Sequence, residues 1–326
     1  MRMGTLSLDD FKDVRIPVPW GHISGRWYGN QKERPILAIH GWLDNLGTFD
    51  RLIPLLPDHV GVLCIDLPGH GRSSHLQPGV HYSVDDYVYI IPRVMREYGW
   101  PKVSLLGHSM GAILMFVYAA LAPHTVDLVI SLDILISESR QPDGNNLRLS
   151  ARNMEKHLGE DERLLEGISC EPPAYTLDTL CRALNKGTFQ SVRYEVAHHM
   201  LHRQVTRSQL YPSKYYFSRD GRIKFLNHAY LDVGLFAEMA RRIATNPYLI
   251  IKGSESPFLG PSEAFSILST NNPNFEFYEV QGTHHVHLNE PEKCAQYIVP
   301  FLHRHRPPTP RNGSSLEPKE HSKSKL

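Results

Sequence analysis

In the stretch GHSMG, Gly107 to Gly111, one hydroxyl sits between two glycines, where the apolar run VSLL gives way to the helical pattern AILMFVYAAL. A strand that turns into a helix this abruptly strains its central residue and crowds together the residues two before and two after it. Glycine at both positions removes the clash. The strain has a use: it projects Ser109 Oγ clear of the strand and leaves the Met110 N–H, at the start of the helix, free to bind an oxyanion. A serine hydroxyl is a poor nucleophile at neutral pH and needs an imidazole base beside it. GTHHVHLNEP, Gly282 to Pro291, offers three. His284, two residues after the glycine that ends an apolar run, is expected at the loop tip, with His285 and His287 turned to the core or to solvent. A tetrahedral intermediate also needs a second N–H donor. HGWLDN, His40 to Asn45, ends an earlier apolar run; there Trp42 N–H is the candidate, with Gly41 letting the backbone approach.

These groups can meet only if strand ends bring them to one rim. Five short, β-branched runs bounded by turn residues read as buried strands: 35–41, 60–69, 102–109, 126–133 and 247–254. A sixth, 275–282, alternates more. Apolar runs without alternation indicate strands covered on both faces, hence a largely parallel sheet between helices. The PWGH turn near the start predicts an antiparallel hairpin on the sheet edge. Helical patterns lie between the strands. The one at 83–99 starts with a Ser cap and should be kinked by Pro92; another follows Ser109 to Pro123, and a closing one spans 290–305. This alternation predicts an α/β sandwich.

From about 137 to 246 the rhythm fails. The segment carries helix-like pieces and no convincing buried strand, and it is too long to be a loop in a compact domain. It reads as an inserted helical cap, dividing the core into 14–136 and 247–303. The remainder, 304–326, is polar and Pro-rich, which predicts a disordered tail. Its final tripeptide, Ser324-Lys325-Leu326, has the form of a peroxisomal address read by an import receptor. A peroxisomal protein with a cytoplasmic pool is therefore expected.

Composition excludes several classes of function. With 35 basic against 34 acidic residues there is no long-range field to recruit nucleic acid or an anionic membrane. No apolar stretch is long enough to span a bilayer, and the first residues lack the apolar core of a secretory signal. Four scattered cysteines without a CxxC spacing suggest neither a metal knuckle nor a disulfide framework. No metal and no cofactor is expected.

Taken together, DLPGHGRS (Asp66 to Ser73), HGW, GHSMG and GTHHVHLNEP resemble the α/β-hydrolase superfamily in its capped, dehalogenase- and epoxide-hydrolase-like branch. More closely, the chain is similar to the serine hydrolase-like proteins of that branch, over about residues 14–303. The resemblance implies the α/β-hydrolase fold, the cap and a Ser–acid–His triad. Dehalogenases and epoxide hydrolases of this branch use an aspartate nucleophile; serine at 109 argues instead for acyl transfer. Asp66 is expected to be structural, in a loop near the mouth of the site.

The acid of that triad is missing from its usual place. The resemblance implies a G-x-x-D turn after the penultimate strand, and here the turn is GSES, with Ser256 at the acid position. Glu255 is one residue away, although such a shift normally points a side chain elsewhere. Asp133, at the end of the run VISLD, is the preferred alternative. It falls on the same rim as Ser109, some capped members of the family take their acid from this strand, and a lone aspartate after five apolar residues needs a partner if buried. The reading is a cofactor-free serine hydrolase of small-molecule acyl esters or thioesters. Met154, Leu158, Leu164, Leu165, Tyr175 and Met200 are expected to give the cap an apolar pocket. The emptied acid position motivates two alternatives, a non-catalytic ligand- or partner-binding protein and, more weakly, a perhydrolase.

Two outcomes follow from the sequence. Asp133→Asn should lower turnover by orders of magnitude while Glu255→Gln changes little; steady-state kinetics giving the opposite ranking would retire Asp133. Deleting Leu326 should leave a tagged chain outside peroxisomes, and an unchanged distribution on microscopy would show that the tripeptide is not in use.

Overall fold

The computed structural model describes residues 5–136, 144–165, 171–225, 233–258 and 262–308. The tail beyond 308, with Ser324, Lys325 and Leu326, lies outside the described residues. Eight strands form one sheet in the order β1-β2-β4-β3-β5-β6-β9-β10. They are β1 (Phe11–Val18), β2 (Gly21–Tyr28), β3 (Ile36–Ile39), β4 (Val62–Ile65), β5 (Val103–His108), β6 (Val126–Leu132), β9 (Tyr248–Gly253) and β10 (Phe275–Val280). β1 and β2 are the expected antiparallel edge hairpin, and every pairing from β4 to β10 is parallel.

The unalternating strands are explained by two apolar cores, one on each face. Leu37, Ile39, Leu105 and Val129 enter one; their neighbours Ile36, Ala38, Leu106 and Ile130 enter the other. The first core is covered by α1 (Val84–Val88), α2 (Ile90–Glu97), α3 (Met110–Leu121), α7 (Val233–Arg242) and α8 (Glu263–Asn271). The second is covered by α10 (Glu292–His305), preceded by the short α9 (Val286–Asn289). The helix expected over 83–99 is two pieces, broken at Tyr89. Pro92 has no N–H for the carbonyl four residues back, and that is where the break falls.

Between β6 and β9, α4 (Gly144–Leu165), α5 (Leu177–Gly187) and α6 (His198–Gln204) are joined by a two-stranded antiparallel ribbon, β7 (Val205–Arg207) with β8 (Tyr215–Phe217). The ribbon was not expected; strands of three residues are too short to show a period. α7 packs on α3 and α8, so the last helix of the inserted segment flanks the sheet.

Two buried arginines tie the insert to the core. Arg203 of α6 reaches Asp66 with Nη2 at 2.8 Å and Ser24 at 2.9 Å. Arg222 pairs with Asp220 at 2.8 Å and with Asp161 of α4 at 2.9 Å, and donates to the carbonyls of Leu76 and Gln77. Asp66 also accepts from Leu46 N–H and Arg72 N–H, both at 2.9 Å. It is therefore the fastener of the loops around the site, the structural part expected of it.

The candidate active site

Ser109 sits between β5 and α3 with φ 52° and ψ −120°, a left-handed conformation that costs a non-glycine residue free energy. The flanking glycines are needed. A Cβ at Gly111 would overlap the Ile39 carbonyl, and one at Gly107 would fall 2.7 Å from the carbonyl carbon of Gly111. Ser109 N–H donates to Leu132 O at 3.2 Å, locking the turn to the end of β6. Its hydroxyl donates to no described group.

Asp133, the next residue after β6, is fully buried and also has a positive φ, 75°. Its N–H is held by Ile251 O at 2.7 Å. Its carboxylate is held by three donors. Gly253 N–H reaches Oδ1 at 2.7 Å, while the Ser256 hydroxyl and His284 Nδ1 both reach Oδ2, the latter at 2.5 Å. Of the two candidate acids, the structure brings Asp133 to His284. Glu255 points into solvent, its N–H on Gly282 O. Ser256 thus stands where the sequence pattern looks for an acid and donates to the acid's replacement, a role that no local signal announced.

His284 is buried against the Phe258 ring, with centroids 4.5 Å apart, and among the described residues only its Nδ1 has a hydrogen-bond partner. Because the carboxylate accepts from Nδ1–H, Nε2 carries the lone pair that a base requires. Burial pulls this imidazole below the ordinary histidine value of 6.5, and its hydrogen bond to Asp133 pushes back. The ring is also tied to the Ser109 turn. His108, the residue before Ser109, donates from Nε2 to the His284 carbonyl at 3.1 Å, and the two rings lie 4.6 Å apart.

His285 and His287 are both buried. His285 meets Ser191 at 2.7 Å and His287 meets Thr48 at 2.9 Å. Asp44 Oδ2 is 3.1 Å from His108 Nδ1 and 3.4 Å from His285 Nε2. Both nitrogens of His108 face acceptors, and burial pulls this ring down to about 3. Asp44, His108 and His285 place three ligand atoms within 4.8 Å of one another and are the described residues that could close on a cation.

The loop after β3 lies under Ser109. Leu43 has φ 61°, and its N–H is accepted by His70 Nε2 at 3.2 Å. His40 accepts from Leu67 N–H at 2.9 Å. Trp42 is fixed through its indole N–H on Ile223 O at 2.7 Å. No described group accepts from the backbone N–H of Trp42 or of Met110, so both donors are unspent.

The expected apolar pocket is not found in that form. Met154, Leu158, Leu164, Leu165 and Tyr175 are exposed, and only Met200 is buried, inside the insert's own cluster. Met154 and Leu158 are one helical turn apart and share an outward stripe of α4, which periodicity alone cannot tell from an inward one.

A family profile described as alpha/beta hydrolase fold matches residues 34–291. The chain is 35% identical over 308 residues to a probable serine hydrolase of Drosophila melanogaster, covering 91% of this chain and 89% of the relative. It is 32% identical to serine hydrolase-like protein 2 of Homo sapiens, covering 89% and 93%. Among solved structures, a hypothetical protein of Pseudomonas aeruginosa superposes with a TM-score of 0.71 at 25% identity, over 89% of this chain and 98% of the other.

Burial that holds the His284 ionisation low gives an expected pH dependence. Activity should be lost as pH falls through a single ionisation below 6.5 and be level at neutral pH. Ser256→Ala removes a donor from Asp133, concentrates its charge and better stabilises the imidazolium. The acid limb of kcat/KM should therefore move up; a limb that stays put would show that Ser256 does not act through Asp133.

Proposed function

Because the chain belongs to the alpha/beta hydrolase fold family, we propose that it is a serine hydrolase of acyl esters or thioesters, with Ser109, His284 and Asp133 as its triad. The observation that carries this reading is the 2.5 Å bond between His284 Nδ1 and a buried carboxylate, in a loop held to the residue before Ser109. Esterase and thioesterase chemistry differ only in the leaving group, and the arrangement serves both.

In the proposed reaction the Ser109 proton passes to His284 Nε2 as Oγ attacks the substrate carbonyl. The negative charge that moves onto the carbonyl oxygen is bound by the Trp42 and Met110 N–H groups. Asp133 stabilises the imidazolium without taking its proton. Collapse breaks the bond to the alcohol or thiol, which leaves with the proton from His284. Water then gives a proton to His284, attacks the acyl-serine and releases the acid, and the proton returns to Ser109. We also propose delivery to peroxisomes by an import receptor that reads Ser324, Lys325 and Leu326, with a pool remaining in the cytoplasm.

A fluorophosphonate probe tests the central step. Wild type should be modified rapidly at one site, Ser109→Ala not at all, and His284→Ala slower by roughly three orders of magnitude or more, in line with the loss of a triad member. Undiminished labelling of Ser109→Ala, or a wild type as slow as His284→Ala, would contradict the assignment and favour a binding protein.

A further inference from the structure

The described cations near the rim differ in their partners. Arg203 and Arg222 each meet carboxylates. Arg219 lies between them in the chain and meets no described carboxylate: it is half-buried, its guanidinium sits over the Phe217 ring at 4.4 Å, and it donates to no described group. Its Nε is sealed from solvent without a partner.

The backbone on either side of Arg219 is pinned to the rim. Ser218 N–H donates to Gln204 O at 2.8 Å, and the Gln204 side chain donates to Leu43 O at 2.6 Å. Asp220 N–H donates to Gly69 O at 2.9 Å, and Ile223 O receives the Trp42 indole. Arg219 therefore stands beside the loop that carries the Trp42 N–H. Its charge is felt at His70 and Asp44, although Asp44 spends its contacts on His108 and His285. Burial without a hydrogen-bonded partner pulls this guanidinium down to about 10. A desolvated cation of this kind is costly in the free protein and is relieved by an anion that shares its pocket.

We propose that Arg219 binds an anionic end of the substrate, so that the acyl group carried to Ser109 bears a carboxylate of its own, as in a monoester or monothioester of a dicarboxylic acid. The planar fork of a guanidinium matches a carboxylate through two parallel hydrogen bonds. One cation, with Asp44 already in range, suits a single negative charge better than the double charge of a phosphate. This inference rests on the serine hydrolase reading and names its substrate class.

The test uses the full chain and 4-nitrophenyl monoesters of dicarboxylic acids of increasing length. Each is compared with its neutral methyl-capped counterpart and with an analogue ending in a phosphonate. Wild type should prefer the best free carboxylate over its capped form by tenfold or more in kcat/KM. Arg219→Gln should cut the ratio to near one, and Arg219→Lys should keep part of it. In a Ser109→Ala background, calorimetry with the corresponding free dicarboxylate should show binding that Arg219→Gln weakens at least tenfold. No preference in wild type, a preference that survives Arg219→Gln, or a stronger preference for the phosphonate would overturn the proposal. Fluorophosphonate labelling separates the two claims. A chain that labels at Ser109 without the preference refutes only the substrate class, whereas failure to label refutes the hydrolase reading beneath it.

Discussion

The site depends on one buried carboxyl group and on the donors that meet it. A carboxylate removed from water survives only if its oxygens are met by donors. Asp133 has three: a backbone N–H from β9, the Ser256 hydroxyl and the His284 ring. The first two come from the very turn that usually carries the acid itself in this fold. Here the carboxylate stands one strand over, and Ser256 in that turn is of the right length to reach it. The imidazole is then oriented by the same oxygen, and its free nitrogen follows from that orientation.

Sheet register turns this local arrangement into a site. Ser109 N–H bonds to the carbonyl of Leu132, and Asp133 N–H bonds to the carbonyl of Ile251. The ends of three adjacent parallel strands, β5, β6 and β9, are thereby stitched together where Ser109 and Asp133 emerge. Both Ser109 and Asp133 hold left-handed backbones at that seam. Such strain persists only where the surroundings over-determine it, and here two apolar cores, one on each face of the sheet, do so. The insert is fastened by the buried Arg203 and Arg222 and by Ile223, Phe236, Ala240 and Ile243, which enter the first apolar core.

Much of this was legible in the residues. Glycines around Ser109, turn residues after each apolar run and a solitary aspartate after VISL all reflect steric or desolvation demands that act locally, so a sequence displays them. His284 could be separated from His285 and His287 by its distance from Gly282 alone. What stayed hidden depends on contacts between distant segments. Ser256 looked like a loss because its partner lies 123 residues away in the chain. The β7–β8 ribbon was too short to show a period, and the outward stripe of Met154 and Leu158 has the same spacing as an inward one. Nothing near Arg219 in sequence marks it as unpaired, because an ion pair is a property of the fold. Nor does the 83–99 pattern reveal where the chain gives way to Pro92.

The central claim is that Asp133, and not Glu255, holds the proton-bearing nitrogen of His284. Proton NMR of the ring-labelled chain tests it most directly. A strongly downfield exchangeable proton on His284 Nδ1 should be present in wild type, persist when Glu255 is made glutamine and vanish when Asp133 is made asparagine. A resonance that outlives the loss of the Asp133 carboxylate, or one that disappears with Glu255, would contradict the account.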